Sequence, residues 1–350
     1  RPGLAWQDGP VIRLDKQSWL RLGALIQADF GWIDGHGLGR QINKDLDDKF
    51  EWRRIRPYIL GQLGENIRFK IEANFSPPSP VLDDAYVQIL NIPAVGTMTI
   101  GHFKEPFSLD ELTGSANTTF LERALPNALA PSYNFGIGLN NTAFNERMTW
   151  AAGVFQNDDR TWAAAKGEGD AEAFTGRVTF LPWYENDGSD LVHLGAAYSF
   201  RRPEEPISFS QRPEAHFLPS FTNTKSIDAN QVHLIGTEAA WVRGPFTLQG
   251  QYTDTLVDSS DKGQLFFQGA YAQAGYFLTG EVRPYDRQRG VFTAVRPKKD
   301  FLASGGGLGA WEVAGRYSFL ERALPNALAP SYNFGIGLNN TAFNERMTWA

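Results

Sequence analysis

Basic side chains and carboxylates alternate along several segments in the first third of the chain. The clearest series contains Arg54, Arg56, Arg68, Lys70 and Lys104, with acidic residues between them. Guanidinium and ammonium groups can replace part of the hydration shell of an anion, Arg through a fixed fork of donors and Lys as a mobile point charge. Neighbouring carboxylates weaken such binding, so that a bound anion can leave again. The pattern fits transient contact with small anions, and it fits ordinary solvated charges equally well.

The residue types that carry out covalent or metal chemistry do not occur in the sequence motifs or spacings that such chemistry uses. The five histidines show no metal-binding pairing at helical spacing, and neither a G-x-S-x-G nor a G-x-x-x-x-G-K-[ST] motif occurs. The absence of cysteine excludes disulfides and thiolate metal sites. Residues 157–159 (NDD) and 186–190 (NDGSD) could each hold calcium or form a plain turn. We predict no enzyme, no cofactor and no resident metal, with a hydrolase site assembled by the fold as the alternative.

The elements that must position the charges are strands with two different faces. Residues 19–32 alternate strictly, whereas an ordinary strand has about five or six residues and a membrane-spanning strand needs about 9–11. Segments 51–63 and 67–75 follow the same pattern, with the basic residues on one face. The apolar face of the first segment consists of Leu20, Leu22, Ala24, Ile26, Ala28, Phe30 and Trp32.

Composition favours a β-barrel. The chain has 350 residues, 42% of them hydrophobic, with a mean hydropathy of −0.34, and no apolar run approaches the roughly 18 residues of a spanning helix. Aromatic residues make up 13% and there are 35 glycines, as expected for aromatic girdles and tight turns. We predict an all-β, transmembrane antiparallel β-barrel, with a soluble sandwich or lectin as the rival. The net charge of −6 argues against nucleic acid as a partner.

A long insert separates the strand predicted at 97–103 from those predicted at 136–144 and 147–155. About thirty residues in between show neither helical nor strand periodicity, and inserts of this length are usually functional. In a closed barrel, the water-filled interior is where such a segment can satisfy its polar backbone. We therefore predict that the insert folds inward and narrows a pore.

An identical copy limits the part of the chain that carries the functional argument. Residues 120–151 recur letter for letter as residues 319–350. Because natural repeats diverge, the identity indicates a copied segment that stands in place of native C-terminal strands. We interpret residues 1–318 as one barrel domain and base the function on them.

Five short motifs carry a resemblance to a known family. They are LGALIQADF at 22–30, WRR at 52–54, LER at 121–123, RPEAH at 212–216, and YFLTGE at 276–281 followed by GAWEV at 309–313. In order and spacing the chain resembles the phosphate-selective porin O/P family. The resemblance implies a sixteen-stranded porin that forms a homotrimer in the lipid of the bacterial outer membrane. It also implies arginines that lead small anions such as phosphate, or other small solutes, to a constriction.

The resemblance implies roles for individual residues. Arg53 and Arg54 match the family's arginine ladder, Arg123 matches its loop arginine, Asp83 matches an acidic residue at the constriction, and Arg68 takes the place of a periplasmic-side lysine.

The chain also departs from the phosphate-specific members. Leu25 replaces a ladder arginine, and Glu111 and Ala116 replace two loop lysines. Arg56 and Lys104 occupy positions that are aromatic in those members, which indicates relocated charge. The predicted pore and anion-binding set is Arg53, Arg54, Arg56, Arg68, Lys70, Asp83, Lys104, Glu111, Arg123 and Arg212.

Three interpretations follow for the function. The first is an outer-membrane channel for passive diffusion of small solutes with a preference for anions. The second is a non-conducting structural or adhesive barrel, and the third is a barrel hydrolase. A basic run at residues 283–299 could line a vestibule or form a solvated loop.

Overall fold

The computed structural model describes residues 3–6, 10–32, 49–156, 172–220, 222–302, 306–324, 327–328, 331–341 and 348–349. Strands dominate this part of the chain. The first eleven are β1 (Gly3–Trp6), β2 (Pro10–Arg13), β3 (Trp19–Gly31), β4 (Lys49–Leu63), β5 (Ile67–Asn74), β6 (Val81–Ile92), β7 (Gly96–Lys104), β8 (Tyr133–Ala143), β9 (Met148–Gln156), β10 (Glu172–Glu185) and β11 (Asp190–Arg202). The others are β12 (Ser210–Gln211), β13 (Thr222–Asn223), β14 (Ala229–Arg243), β15 (Phe246–Ser259), β16 (Gly263–Phe277), β17 (Tyr285–Asp286), β18 (Val291–Phe292), β19 (Ala310–Leu324), β20 (Ala327–Leu328), β21 (Ser331–Thr341) and β22 (Thr348–Trp349).

Eighteen of these strands form one antiparallel sheet, and most pair with their neighbours along the chain. The hairpins β12–β13 and β17–β18 are not part of this sheet. They lie in inserts, and the two strands of each hairpin pair with each other. Among the described residues, no helix has the length and hydropathy needed to cross a membrane. The structure adds β1 and β2 to the predicted strands, since segments of four residues are too short to show a period.

The polarity of the sheet is reversed relative to a soluble protein. Along β15 the row Thr247, Gln249, Gln251, Thr253 and Thr255 is buried, while Leu248 and Leu256 are exposed. Ile26 on β3 is 64% exposed and Ile137 on β8 is 46% exposed. A soluble sandwich would bury the apolar row, so this outer surface matches hydrocarbon and the polar row faces inward. The predicted transmembrane antiparallel β-barrel is confirmed, with the strand count of a large barrel.

The predicted insert, residues 105–132, lies inside the sheet; we call it the inner loop. Its Ser108 Oγ donates to Gln251 Oε1 of β15 at 2.9 Å, whereas its Glu122 accepts from Arg53 of β4. Because β4 and β15 lie far apart in the strand order, a loop that contacts both must cross the interior. The predicted inward fold is therefore confirmed.

Two short helical turns interrupt the inner loop, which the sequence predicted to be irregular throughout. Helix α1 (Leu109–Leu112) is capped by Ser108, whose Oγ accepts from the backbone N–H of Glu111 at 3.1 Å. A 3₁₀ turn, Leu125–Leu129, follows. A second 3₁₀ turn, Asn186–Gly188, lies outside this loop. Single turns escape the sequence pattern because an amphipathic period needs several turns to show.

Apolar contacts hold the inner loop against the inner wall. Phe107, Leu125 and Leu129 are buried in a cluster completed by Ala197, Ile227, Val232, Leu234, Val257, Leu265, Phe267 and Leu320. Leu109 belongs to a second cluster with Leu181, Leu191, Ala240, Val242, Val291 and Phe292. The second cluster includes Val291 and Phe292 of β18, so this part of the segment 278–309, which we call the second insert, packs on the inner loop.

A buried ion pair fixes the start of the inner loop to the wall. Glu105 is fully buried, and both of its carboxylate oxygens accept from Arg201 of β11 at 2.9 Å. Thr175 and Asn134 also donate to this carboxylate. The two hydrogen bonds from the Arg201 guanidinium compensate the negative charge of Glu105, whose burial without a partner would destabilise the fold.

The reversed polarity predicts the effect of a charge on the outer surface. Val178 lies near the middle of β10 and is 40% exposed. We expect Val178→Arg to lower the free energy of unfolding in lipid bilayers by about 2–4 kcal/mol, because the guanidinium would enter hydrocarbon. Urea titration of the folded barrel measures this. Val178→Ala is the control, and equal stability of the two variants would contradict the lipid-facing assignment.

The Glu105 pair predicts a second stability effect. We expect Glu105→Ala to cost about 3–5 kcal/mol of unfolding free energy, because Arg201 would remain buried without its partner. The same titration with Glu185→Ala, an exposed carboxylate at the end of β10, provides the control. A cost for Glu105→Ala no larger than that of the control would show that the pair does not anchor the loop.

Candidate functional site

A β-bulge places two consecutive arginines of β4 on the inside of the barrel. The register between β3 and β4 shifts where Gln27 pairs with Arg54 and Ala28 pairs with Trp52, so Arg53 is the extra residue. A bulge re-aims side chains that strict alternation would send to opposite faces. Both arginines contact Glu122 of the inner loop, Arg53 through Nη2 at 3.0 Å and Arg54 through Nη2 at 3.4 Å.

A second bulge does the same for two aspartates on β6. The register shifts between the pairs Glu72–Asp84 and Ala73–Leu82, so Asp83 is the extra residue. Asp83 and Asp84 are both buried. The wall next to the inner loop therefore carries two consecutive positive side chains on β4 and two consecutive negative side chains on β6.

The two bulged pairs are joined by basic residues of β4 and β5. Arg56 Nε lies 2.9 Å from Asp83 Oδ2, and Arg56 Nη1 lies 3.5 Å from Ser115 Oγ of the inner loop. Lys70 Nζ lies 2.6 Å from Asp84 Oδ2 and 3.0 Å from Glu72 Oε2. Sequence-predicted Arg56, Lys70 and Asp83 thus belong to one network.

The loop-side part of the site is built around Glu111. Lys104 Nζ lies 3.1 Å from Glu111 Oε1, and Arg123 Nε lies 3.3 Å from Glu111 Oε2. Lys104 Nζ also lies 5.2 Å from the ring centroid of Tyr133. The three sequence-predicted residues of the loop region therefore come together as an ion cluster.

Two of the sequence-predicted residues lie apart from these networks. Arg68 donates to Gln62 Oε1 at 3.2 Å and has no carboxylate partner among the described residues. Arg212 is exposed on the segment 203–228 and donates to the carbonyl of His216. His216 Nδ1 in turn lies 2.8 Å from Glu51 Oε2.

Ionic partners outweigh the effect of burial on the pKa of two inner-loop residues. Burial raises the pKa of Glu122, but the Arg53 hydrogen bond and the charge of Arg54 outweigh it, so the pKa is lowered from its ordinary value. Burial lowers the pKa of Arg123, but the carboxylates of Glu111 and Asp110 outweigh this effect and raise it. Asp110 differs, because burial is the dominant effect and raises its pKa.

Further ion pairs lie inside the barrel that the sequence did not single out as a site. Arg177 Nη2 lies 2.5 Å from Glu238 Oε1, which His193 Nε2 also approaches at 3.1 Å. Arg316 Nη2 lies 2.5 Å from Glu214 Oε2. Gly195 pairs with Glu238 across β11 and β14, where a Cβ would collide with the Glu238 carboxylate. This contact depends on strand register, so the sequence offered no signal for it.

Of the two calcium candidates, residues 186–190 lie within the described part of the chain. In residues 186–190, Ser189 Oγ donates to the carbonyl of Asn186 at 2.7 Å, as in a plain turn. The other calcium candidate, 157–159, lies outside the described residues. Within the described ranges, no group of three or more His, Asp or Glu side chains is placed to hold a metal. Of the basic run, Arg283 is buried 3.4 Å from Glu312, whereas Arg289 is exposed.

Known proteins resemble this chain in sequence. Its residues 20–340 match the family model described as phosphate-selective porin O and P. An uncharacterized protein of Caulobacter vibrioides is 30% identical over 332 residues, covering 91% of this chain, and the chain spans 64% of that protein's length. Porin O of Pseudomonas aeruginosa is 25% identical over 371 residues, covering 97% of this chain and 81% of Porin O.

Solved structures share the fold at low identity. The trimer form of OmpT, an outer membrane protein of Vibrio cholerae, aligns with a TM-score of 0.56 at 9% identity, covering 93% of this chain and 85% of OmpT. An anion-selective porin from Comamonas acidovorans aligns with a TM-score of 0.54 at 12% identity, covering 92% of this chain and 84% of the porin. Since the family model covers most of the strands and the inner loop, the chain belongs to the phosphate-selective porin O and P family.

Proposed function

We propose that the protein is a diffusion channel of the bacterial outer membrane that passes small solutes and prefers anions, phosphate among them. The single observation that carries this proposal is the inner loop, which crosses the interior and meets the wall in ion networks on both sides. A polar interior that is lined by fixed charges and enclosed by an apolar outer wall is the arrangement of a narrow aqueous channel.

The charges that have no carboxylate partner support a preference for anions. Most basic groups inside the barrel are paired, and a paired charge contributes little net field. Arg68 is bonded only to Gln62 within the described part of the chain. Lys70, two residues further along β5, is by contrast compensated by Asp84 and Glu72. Arg68 therefore contributes a positive charge without a carboxylate beside it, which would raise the local concentration of anions.

The pairing of these charges also explains how solutes could leave. A unit charge pair at 4 Å is worth about 4 kcal/mol at an effective dielectric constant near 20. Several unpaired cations at one level would therefore hold an anion too long for conduction. Asp83, Asp84 and Glu122 occupy donors of Arg56, Lys70, Arg53 and Arg54, and this reduces the depth of any such binding site.

We also propose a homotrimer. The apolar outer wall offers a surface for a second copy of the chain, and the similar OmpT structure is a trimer form. A non-conducting structural barrel remains the alternative, because the inner loop and the second insert both occupy the interior. Membership of a porin family argues for a channel rather than a hydrolase.

The proposal predicts a measurable ion selectivity. In planar bilayers with a KCl gradient, we expect discrete conductance steps and a reversal potential that shows chloride to be more permeant than potassium. Arg68→Gln should lower the chloride-to-potassium permeability ratio about twofold, as the loss of one partly screened charge would do.

Lys262→Gln is the matched control for that measurement, because Lys262 is 40% exposed on a turn and paired with Asp261. Its permeability ratio should stay that of the unmodified protein. Insertion of folded protein without conductance would favour the structural barrel, and a preference for potassium would contradict the anion proposal.

A further inference from the structure

Four side chains contact the carboxylate of Glu111 in the inner loop. Its Oε1 accepts from Ser132 Oγ at 2.7 Å and lies 3.1 Å from Lys104 Nζ. Its Oε2 accepts from Asn127 Nδ2 at 3.0 Å and lies 3.3 Å from Arg123 Nε. The side chain is only 4% exposed. Contacts on both oxygens hold this carboxylate in one place.

The backbone carbonyl of Glu111 binds the same two cations. Lys104 Nζ donates to it, and Arg123 Nη2 donates to it at 3.0 Å. Through its side chain and its carbonyl, one residue thus occupies both basic groups. The helical turn α1 makes this possible, because the cap by Ser108 fixes the position of Glu111.

The two cations differ in what else they bind. Arg123 donates to the carbonyls of Asp110 at 2.8 Å and Thr113 at 2.9 Å, so its guanidinium ties the loop backbone together. Lys104 has no comparable set of carbonyls in the described structure, and it keeps 16% of its side chain exposed. Removal of the Glu111 charge would therefore leave Arg123 held by three backbone carbonyls. Lys104 would keep its bond to the Glu111 carbonyl but lose its carboxylate partner, so that its positive charge could act on a solute.

We propose that Glu111 is a selectivity-determining residue, which neutralises Lys104 so that oxyanions pass this level of the pore without being held. The inference rests on the proposed channel function and deepens it. In its terms, the solutes of the unmodified channel are small anions that are weakly retained. An oxyanion such as phosphate would bind at Lys104 only after Glu111 loses its charge.

Block of the chloride current by inorganic phosphate tests the inference. In single-channel recordings of the whole protein, Glu111→Gln should lower the half-blocking phosphate concentration at least about tenfold, because a neighbouring unit negative charge is removed. The amide keeps an oxygen for the Ser132 or Asn127 hydrogen bond. The unmodified channel should show no block in the same concentration range.

The double variant Glu111→Gln with Lys104→Gln separates this effect from a general disturbance of the loop. Its phosphate block should disappear again, which loss of local structure alone would not achieve. Block that persists in the double variant, or a Glu111→Gln channel that conducts without new block, would overturn the inference. Both of these outcomes would leave the proposal of a channel intact. That proposal would be contradicted by an unmodified protein that does not conduct.

A single Lys104→Gln variant covers the case in which Glu111→Gln does not fold. It leaves the Glu111 carboxylate with Arg123 as its remaining ionic partner, so we expect the chloride-to-potassium permeability ratio to fall. An unchanged ratio would overturn the inference, because Lys104 would then have no influence on the permeating ions.

Discussion

Backbone N–H and C=O groups cannot remain unpaired at membrane depth, and this constraint determines where the inner loop can lie. The strands satisfy their groups in the antiparallel ladder, but residues 105–132 have no ladder to join. Inside the barrel their polar groups find partners on the wall and within the loop itself, as with Arg123, which binds the carbonyls of Asp110, Glu111 and Thr113. The Glu105–Arg201 pair and the cluster around Phe107 then fix the loop in that position.

Two local irregularities of the sheet determine the charges that face the loop. Regular alternation would send one of Arg53 and Arg54 into the lipid, and likewise one of Asp83 and Asp84. A bulge at each place turns both members of the pair inward. Each bulge leaves one residue without a partner on the neighbouring strand. In return, two like charges instead of one face the interior at that point of the wall. Glu122 of the inner loop accepts hydrogen bonds from the two arginines, and Ser115 accepts one from Arg56.

The sequence predicts the regular part of this structure and loses accuracy where tertiary contacts decide. Residues 19–32 alternate so strictly that the outward row and the inward row of β3 were evident. The bulges were not, because an extra residue leaves no mark in the period of a short segment. Tertiary contacts also override the local sequence. Residues 121–124 lie in the inner loop, whereas the identical residues 320–323 continue β19. Which carboxylate meets which cation depends on strand register, and no local pattern records it.

The proposed channel depends on an inner loop that crosses the interior and contacts the far wall. The chain contains no cysteine, so the pair Ser108→Cys and Gln251→Cys can be introduced without background. We expect a short bifunctional thiol reagent to link the two cysteines in the folded barrel, because the native side chains meet at 2.9 Å. Intact mass of the folded and treated protein reads out the link. Two separately labelled thiols with no link in the folded protein would show that the loop does not lie across the lumen.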